Sequence, residues 1–104
     1  MADKTYWVYI LNCENNSYYT GYTNNLIKRF QAHVNGKSKC KYTRSFKPIN
    51  VAQCWQTNSK STALKIENHI KKMSKNDKNK LIQFPNLLTQ SFKCKTGLKE
   101  FLNN

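Results

Sequence analysis

Residues 6–22 decide the fold, and they read Tyr6-Trp7-Val8-Tyr9-Ile10-Leu11-Asn12-Cys13-Glu14-Asn15-Asn16-Ser17-Tyr18-Tyr19-Thr20-Gly21-Tyr22. Residues 6–13 are apolar and rich in β-forming side chains, which is typical of a strand covered on both faces. The polar residues 14–17 predict a turn and residues 18–22 a second strand, so the two strands form a β-hairpin. Gly21 interrupts the second strand, and a glycine there commonly marks the close approach of a ligand or another backbone.

Helix and strand patterns follow the hairpin. The first helix has Thr23, Asn24 and Asn25 as N-cap candidates, apolar Leu26, Ile27, Phe30 and Val34 at helical spacing, and Gly36 as C-cap. Residues 37–48 are basic and polar, which predicts a loop, and residues 49–57 predict a third strand. In a second helix, capped by Ser61 or Thr62, one face carries Ala63, Ile66, Ile70 and Met73. Residues 75–84 predict a short third helix that ends before Pro85.

This order of elements predicts an α+β fold with a small three-stranded antiparallel sheet flanked by helices (β-β-α-β-α-α). A chain of 104 residues has the usual size of one domain. We assign residues 1–84 to that domain and residues 85–104 to a C-terminal extension without an assigned role. Truncation after Phe84 is expected to leave a folded core, although the extension is too apolar for a purely flexible tail.

The net charge restricts the partners. Eighteen Lys and Arg residues face five Asp and Glu, which gives a formal charge of +13 and favours polyanions such as nucleic acid or an anionic membrane. No segment approaches the roughly 20 apolar residues of a membrane span, and the polar residues 1–4 lack the apolar core of a signal peptide. We therefore expect a cytoplasmic protein with no membrane partner. The four irregularly spaced cysteines form no CxxC pair and are expected to be reduced thiols.

A long basic run lies between Glu14 and Glu67, where no other acidic residue occurs. Its nine positive charges are Lys28, Arg29, Lys37, Lys39, Lys41, Arg44, Lys47, Lys60 and Lys65. Such a run is often only a solvated surface. Because the charge is of one sign and is interleaved with Tyr42 and Phe46, a phosphate-binding face is the favoured interpretation.

Three polar residues fall at the edges of the apolar helix faces. Arg29 and His33 are one turn apart on the first helix and could address one ligand, although each alone fits an ordinary structural role. Glu67 lies beside the apolar face of the second helix. It could form a surface pair with Lys71, or it could hold Mg²⁺, which needs only one or two protein carboxylates.

Two tyrosines, Tyr9 and Tyr19, lie on adjacent strands of the hairpin. Aromatic residues at such positions usually pack in the core or stack across the sheet. An unperturbed phenol has a pKa of about 10, so a tyrosine that acts as a base near neutrality needs nearby positive charge. Arg29, the basic segment and a bound metal would provide it.

Together these residues resemble the GIY-YIG nuclease family in order and spacing, over about residues 5–84. The matching positions are Trp7-Val8-Tyr9, Tyr19-Thr20-Gly21, Arg29, His33 and Glu67, and Lys41-Tyr42-Thr43-Arg44 looks like a loop segment of stand-alone, single-domain members. Trp7 replaces the glycine of the first motif and Thr20 the isoleucine of the second, and neither replacement removes a chemical group.

The resemblance implies a GIY-YIG nuclease fold and hydrolysis of DNA with one divalent ion, Mg²⁺ or Mn²⁺. It implies that Tyr9, with His33, takes the proton of the attacking water and that Tyr19 positions the nucleophile or the phosphate. Glu67 would hold the metal, Arg29 would neutralise charge as the bond breaks, and Gly21 would keep the site open.

DNA is therefore the expected partner, with no small-molecule cofactor and no protein partner indicated. The predicted nucleic-acid-binding residues are Gly21, Lys28, Lys39, Lys41, Tyr42 and Arg44. One alternative is a non-catalytic nucleic-acid-binding module that uses the basic face, and another is an adaptor that assembles through its apolar tail. The nuclease is favoured over the binding module because pure binding needs the basic face but not an isolated glutamate inside it.

Overall fold

The computed structural model describes residues 5–37 and 41–97, and Lys39 and the side chain of Arg44 lie outside its described part. The elements are β1 (Tyr6–Cys13), β2 (Tyr18–Thr23), α1 (Leu26–Val34), α2 (Lys41–Ser45), β3 (Pro48–Thr57), α3 (Lys60–Lys71), α4 (Lys75–Gln83), α5 (Asn86–Thr89) and β4 (Lys95–Thr96). The α+β class is confirmed. No helix within the described residues is both long enough and apolar enough to cross a membrane.

The predicted hairpin is present. β1 and β2 pair antiparallel, with Tyr9 opposite Gly21, and the turn is closed by the Cys13 N–H, which donates to the Ser17 carbonyl at 2.9 Å. Asn16 adopts a positive φ of 61° in this turn, a conformation that asparagine tolerates better than most residues.

β1 is an inner strand, because it also pairs antiparallel with β3. Its alternate side chains enter two cores: Val8 and Ile10 pack on one side with residues of α3, while Tyr9 and Leu11 pack on the other with Leu26 of α1. The prediction of a strand covered on both faces is confirmed.

Within residues 5–37 and 41–97 the sheet has four strands rather than the predicted three, in the order β2-β1-β3-β4. The additional strand, β4, pairs antiparallel with β3 through only two residues. A two-residue strand carries no period in the sequence, and its pairing depends on a partner about 40 positions earlier in the chain.

The helix ends follow their capping groups. Asn25 caps α1 by accepting from the Lys28 N–H, and Gly36 follows the helix with φ +70°. α3 begins slightly earlier than predicted, at Lys60, because Ser59 and not Ser61 or Thr62 is the N-cap and accepts from the Thr62 N–H at 3.3 Å. The predicted inner face of α3 is confirmed, since Ala63, Ile66 and Ile70 are fully buried.

The segment of residues 37–48, predicted as a loop, contains the five-residue helix α2. A helix of this length shows no apolar periodicity. It is held by tertiary contacts, since the side chain of Thr43 is completely buried and the ring of Tyr42 stacks on that of Tyr19.

Residues 85–97 pack against the sheet. The Trp55 indole N–H donates to the Pro85 carbonyl at 3.0 Å, the Thr57 hydroxyl donates to the Lys93 carbonyl at 2.8 Å, and Leu88 is buried in the core. The boundary of the catalytic domain after residue 84 stays a prediction.

Candidate active site

A cavity of about 400 Å³ is bordered by β1, β2, α1, α3 and the segment after β2. Its lining consists of Tyr6, Tyr9, Tyr19, Gly21, Tyr22, Thr23, Asn24, Arg29, Lys60 and Glu67. Four of the five predicted catalytic and metal-binding residues, Tyr9, Tyr19, Arg29 and Glu67, therefore share one cavity although they lie on four different elements. The fifth, His33, lies directly behind it.

Gly21 is needed for the position of Tyr9. The two residues face each other across β1 and β2, and a Cβ added to Gly21 would lie 2.5 Å from the Tyr9 hydroxyl oxygen and 2.8 Å from Cζ. Real Cβ atoms do not approach that closely, so any side chain at position 21 would displace the phenol. The close approach predicted at Gly21 is thus made by a tyrosine ring and not by another backbone.

His33 connects Tyr9 to the interior. Its Nε2 lies 3.1 Å from the Tyr9 hydroxyl oxygen, and its Nδ1 lies 2.8 Å from Oγ1 of Thr43. All three side chains are at most 1% exposed. Burial, and secondarily the Arg29 charge, lower the pKa of His33 from 6.5 to about 4, because both penalise the charged imidazolium. His33 is therefore neutral near pH 7, with one ring nitrogen free of a proton.

Tyr19 stands at the start of an aromatic series. Its ring centroid lies 5.3 Å from that of His33 and 6.1 Å from that of Tyr42, and the planes of Tyr19 and Tyr42 differ by only 20°. Phe46 continues the series at 5.3 Å from Tyr42. These contacts restrict the Tyr19 ring, and Tyr19 also lines the cavity.

Arg29 presents its guanidinium to solvent and to the cavity. Its side chain is exposed, and no carboxylate of the described residues forms an ion pair with it. Arg29 and Lys28 also line an adjoining groove of about 280 Å³, together with Thr23, Asn24, Asn25 and Ala32. The cavity and the groove share Thr23, Asn24 and Arg29, so they are continuous. The groove adds a second positively charged side chain, that of Lys28.

Glu67 forms the predicted pair with Lys71, whose Nζ lies 3.6 Å from a carboxylate oxygen. The partners differ in exposure, at 12% for the Glu67 side chain and 50% for Lys71. An exposed lysine contributes little at that distance. Glu67 also lines the cavity beside Lys60, so both interpretations of this residue from the sequence are compatible with its place in the fold.

The donor atoms around Glu67 fit a hard, hydrated cation. Among the residues that the structure describes, no group of three or more His, Cys, Asp and Glu could hold a metal ion. A closed zinc site needs about four such ligands. Mg²⁺ and Mn²⁺ accept oxygen ligands, and Mg²⁺ keeps several waters with one or two carboxylates and substrate phosphate. A single carboxylate in a polar cavity is sufficient for such an ion.

The predicted nucleic-acid-binding residues are spread around this site. Lys28 lines the adjoining groove, Lys41 is exposed at the start of α2, and Tyr42 is half-buried against Tyr19. Lys60 and Thr43 lie at or beside the site, and neither of them had a predicted role there. In the sequence, Lys60 is only one of nine basic residues, and Thr43 is only part of the family-like segment of residues 41–44.

Comparison with known proteins identifies a family. The sequence profile of the GIY-YIG catalytic domain matches residues 5–81. Similar curated proteins include the UPF0213 protein of Oceanobacillus iheyensis, 45% identical over 79% of this chain and 94% of its own, and that of Clostridium perfringens, 38% identical over 88% and 98%.

A solved structure is also similar, the solution NMR structure of the UPF0213 protein BH0048 from Bacillus halodurans. It is 35% identical, covers 77% of this chain and 84% of its own, and has a TM-score of 0.47. The profile match spans most of the chain and includes every residue that lines the cavity. The protein belongs to the GIY-YIG catalytic-domain family.

Proposed function

We propose that this protein is a metal-dependent endonuclease that hydrolyses phosphodiester bonds of DNA. Membership of the GIY-YIG family indicates a nuclease that acts on nucleic acid. The observation that carries the finer proposal is the shared cavity, which joins two phenols, a guanidinium and one carboxylate. We also propose a cytoplasmic location.

Tyr9 is the group that takes the proton of the attacking water. Tyr9 lines the cavity, and His33 Nε2 lies 3.1 Å from its hydroxyl oxygen. As the water oxygen forms its bond to phosphorus, one water proton passes to the Tyr9 oxygen and the phenolic proton passes to Nε2 of neutral His33. The bridging P–O bond breaks and the leaving oxygen takes a proton from solvent, while the imidazolium of His33, whose pKa is about 4, returns its proton through Tyr9 to solvent.

Arg29 and Glu67 stabilise the negative charge of the phosphate during the reaction. The guanidinium of Arg29 can donate two hydrogen bonds to non-bridging phosphate oxygens and stabilise charge that increases in the transition state. Glu67 would hold Mg²⁺ or Mn²⁺, which supplies Lewis-acid stabilisation of the phosphate and of the leaving oxygen when bound. Tyr19 orients the water or the phosphate from the neighbouring strand.

The basic surface provides binding. Lys28 in the adjoining groove and Lys60 in the cavity flank Arg29, and each can contact a phosphate next to the one that is cut. Such contacts provide affinity that depends on salt but not on sequence. Gly21 keeps the space above Tyr9 open, while Lys41 contributes further charge at the start of α2.

Nicking of a supercoiled plasmid tests the proposal. The wild-type protein with Mg²⁺ should convert the plasmid to the open circle, and a chelator should stop the conversion. Glu67→Gln and Arg29→Ala should each lower the rate by about 10²–10³-fold, since each removes a group that acts on the transition state. Circular dichroism would verify that both variants fold.

Matched controls remove the same charges elsewhere. Glu14→Gln and Lys72→Ala alter exposed residues outside the cavity, and both should nick at the wild-type rate when DNA is saturating. Binding of DNA by the wild-type protein without any metal-stimulated nicking would contradict the nuclease and favour the non-catalytic binding module.

A further inference from the structure

Thr43 makes a buried contact with His33 that the proposed reaction does not use directly. It lies in the middle of α2, its side chain is completely buried, and its Oγ1 lies 2.8 Å from Nδ1 of His33. The other ring nitrogen of the same histidine lies 3.1 Å from the Tyr9 hydroxyl. One imidazole therefore links a residue of the cavity to a residue of α2.

The chemistry of the two hydroxyl groups sets the proton positions. A neutral imidazole has one N–H donor and one acceptor nitrogen. A phenol is a much stronger acid than an aliphatic alcohol, so Tyr9 is the better donor and Thr43 the better acceptor. The favoured arrangement has the Tyr9 O–H donating to Nε2 and the Nδ1–H donating to Oγ1 of Thr43.

We propose that Thr43 is a positioning residue for the nuclease reaction, which holds His33 in the Nδ1–H tautomer so that Nε2 can accept the proton of Tyr9. This inference rests on the proposed function. In the opposite tautomer Nε2 would carry a hydrogen towards Tyr9, and the phenolic proton would have no acceptor there.

The groups around His33 agree with this role. Arg29 on its own helix disfavours the imidazolium, and Tyr9 and Tyr19 face it from β1 and β2. From α2, Thr43 contacts His33 and Tyr42 stacks on Tyr19. Among the described residues, Oγ1 of Thr43 lies within hydrogen-bonding distance of Nδ1, at 2.8 Å. α2 thus fixes both tyrosine sites, one through a hydrogen bond to His33 and one through stacking.

Two variants separate the hydroxyl of Thr43 from its volume. Thr43→Val keeps a branched side chain and removes the hydroxyl, while Thr43→Ser keeps the hydroxyl. We expect Thr43→Val to lower kcat for DNA cleavage by about 10- to 100-fold, within the roughly 10²–10⁴-fold that a positioned acid–base group contributes. KM should change by less than about 3-fold, and Thr43→Ser should retain a kcat within about 3-fold of wild type.

The tautomer itself is measured by ¹⁵N NMR of the imidazole near pH 7, independently of activity. The wild-type protein and Thr43→Ser should show a protonated Nδ1 and an unprotonated Nε2, and Thr43→Val should shift the proton towards Nε2. A wild-type His33 protonated at Nε2 would overturn the inference, even if Thr43→Val does not fold. So would a Thr43→Val protein with wild-type tautomer and kcat, or a Thr43→Ser protein as slow as Thr43→Val.

The NMR result also keeps the two hypotheses apart. A wild-type protein that shows the expected tautomer but cleaves no DNA would overturn the proposed function and, with it, the catalytic meaning of Thr43. A wild-type protein that cleaves DNA but has the opposite tautomer would overturn only the assignment of Thr43.

Discussion

His33 is a histidine that remains uncharged because of where it lies. The ring is 1% exposed and has a hydroxyl oxygen beside each nitrogen. Two neutral hydroxyls satisfy the neutral ring well, whereas an imidazolium would lose its hydration and lie near the guanidinium of Arg29. The same environment that keeps the His33 ring neutral, with a nitrogen able to accept a hydrogen bond from Tyr9, also makes the folded protein sensitive to acid.

We predict that protonation of His33 destabilises the folded protein as the pH falls. The pKa of His33 is about 4 in the folded protein and 6.5 as the unperturbed value, so the unfolded chain binds the proton first as the pH falls. The contribution of His33 to the free energy of unfolding is fully present above about pH 6.5. It decreases as the pH falls from about 6.5 to about 4, and the total loss is about 3 kcal/mol. Urea unfolding at about pH 7 and about pH 4 measures the loss.

The control for this measurement is His33→Gln, which cannot be protonated but keeps a polar side chain. The wild-type protein should lose about 3 kcal/mol more than the variant over the same pH range, since all other titrating groups are shared. Equal losses in the two proteins would mean that His33 does not titrate abnormally.

Residues could be predicted where their side chains define a family pattern. Tyr9, Tyr19, Arg29 and Glu67 line one cavity, as the resemblance implied, because their order and spacing are characteristic. Thr43 could not be predicted in the same way. Its importance arises from a contact with His33 at 2.8 Å, and that contact exists only after the segment between α1 and β3 has folded back on the helix.

Elements differ in how far their own sequence specifies them. The hairpin and α1 have strong patterns and local caps, such as Asn25, and they form where the pattern predicts them. α3 has the predicted apolar face, but it begins earlier than predicted because Ser59 caps it. α2 and β4 are five and two residues long. Both are stabilised by contacts with residues distant in sequence, so no window of the sequence around them contains the reason for their structure.

The C-terminal elements α5 and β4 are expected to stabilise the fold. Truncation after Phe84 removes buried Leu88, the carbonyl acceptors for Trp55 and Thr57, and the partner strand of β3. A buried leucine is worth about 2–5 kcal/mol and a hydrogen bond to a buried group about 1–3 kcal/mol. We expect a core that still folds but has lost several kcal/mol of unfolding free energy, measured by urea denaturation.

Two controls accompany the truncation. A chain that ends at Gly97 keeps all of these contacts, so it is the reference against which the loss is measured. Leu88→Ala should reproduce about 2–5 kcal/mol of the loss without removing any backbone. A chain that ends at Phe84 and is as stable as the full chain would show that residues 85–97 only cover the sheet without stabilising it.

The net charge of the protein follows from its composition, whereas the cavity depends on its folding. The charge of +13 follows from composition and predicts a polyanionic partner without any structure. The cavity depends on the packing of α3 against β1 and β2, which brings Lys60 and Glu67 to the site of Arg29 and the tyrosines. Lys60 therefore could not be separated from other lysines before the fold was known.

Arg29, Glu67 and the two tyrosines are proposed to act together on one phosphodiester. If Arg29 and Glu67 stabilise the same transition state, removing the second group costs less once the first is gone, so losses from the two are not additive in free energy. The measurement is the single-turnover cleavage rate of a labelled duplex with Mg²⁺, for the wild type, Arg29→Ala, Glu67→Gln and the double variant. We predict that the double variant cleaves within about 10-fold of the slower single variant. A double variant whose loss equals the product of the two single losses would contradict the claim, and so would wild-type rates in either single variant.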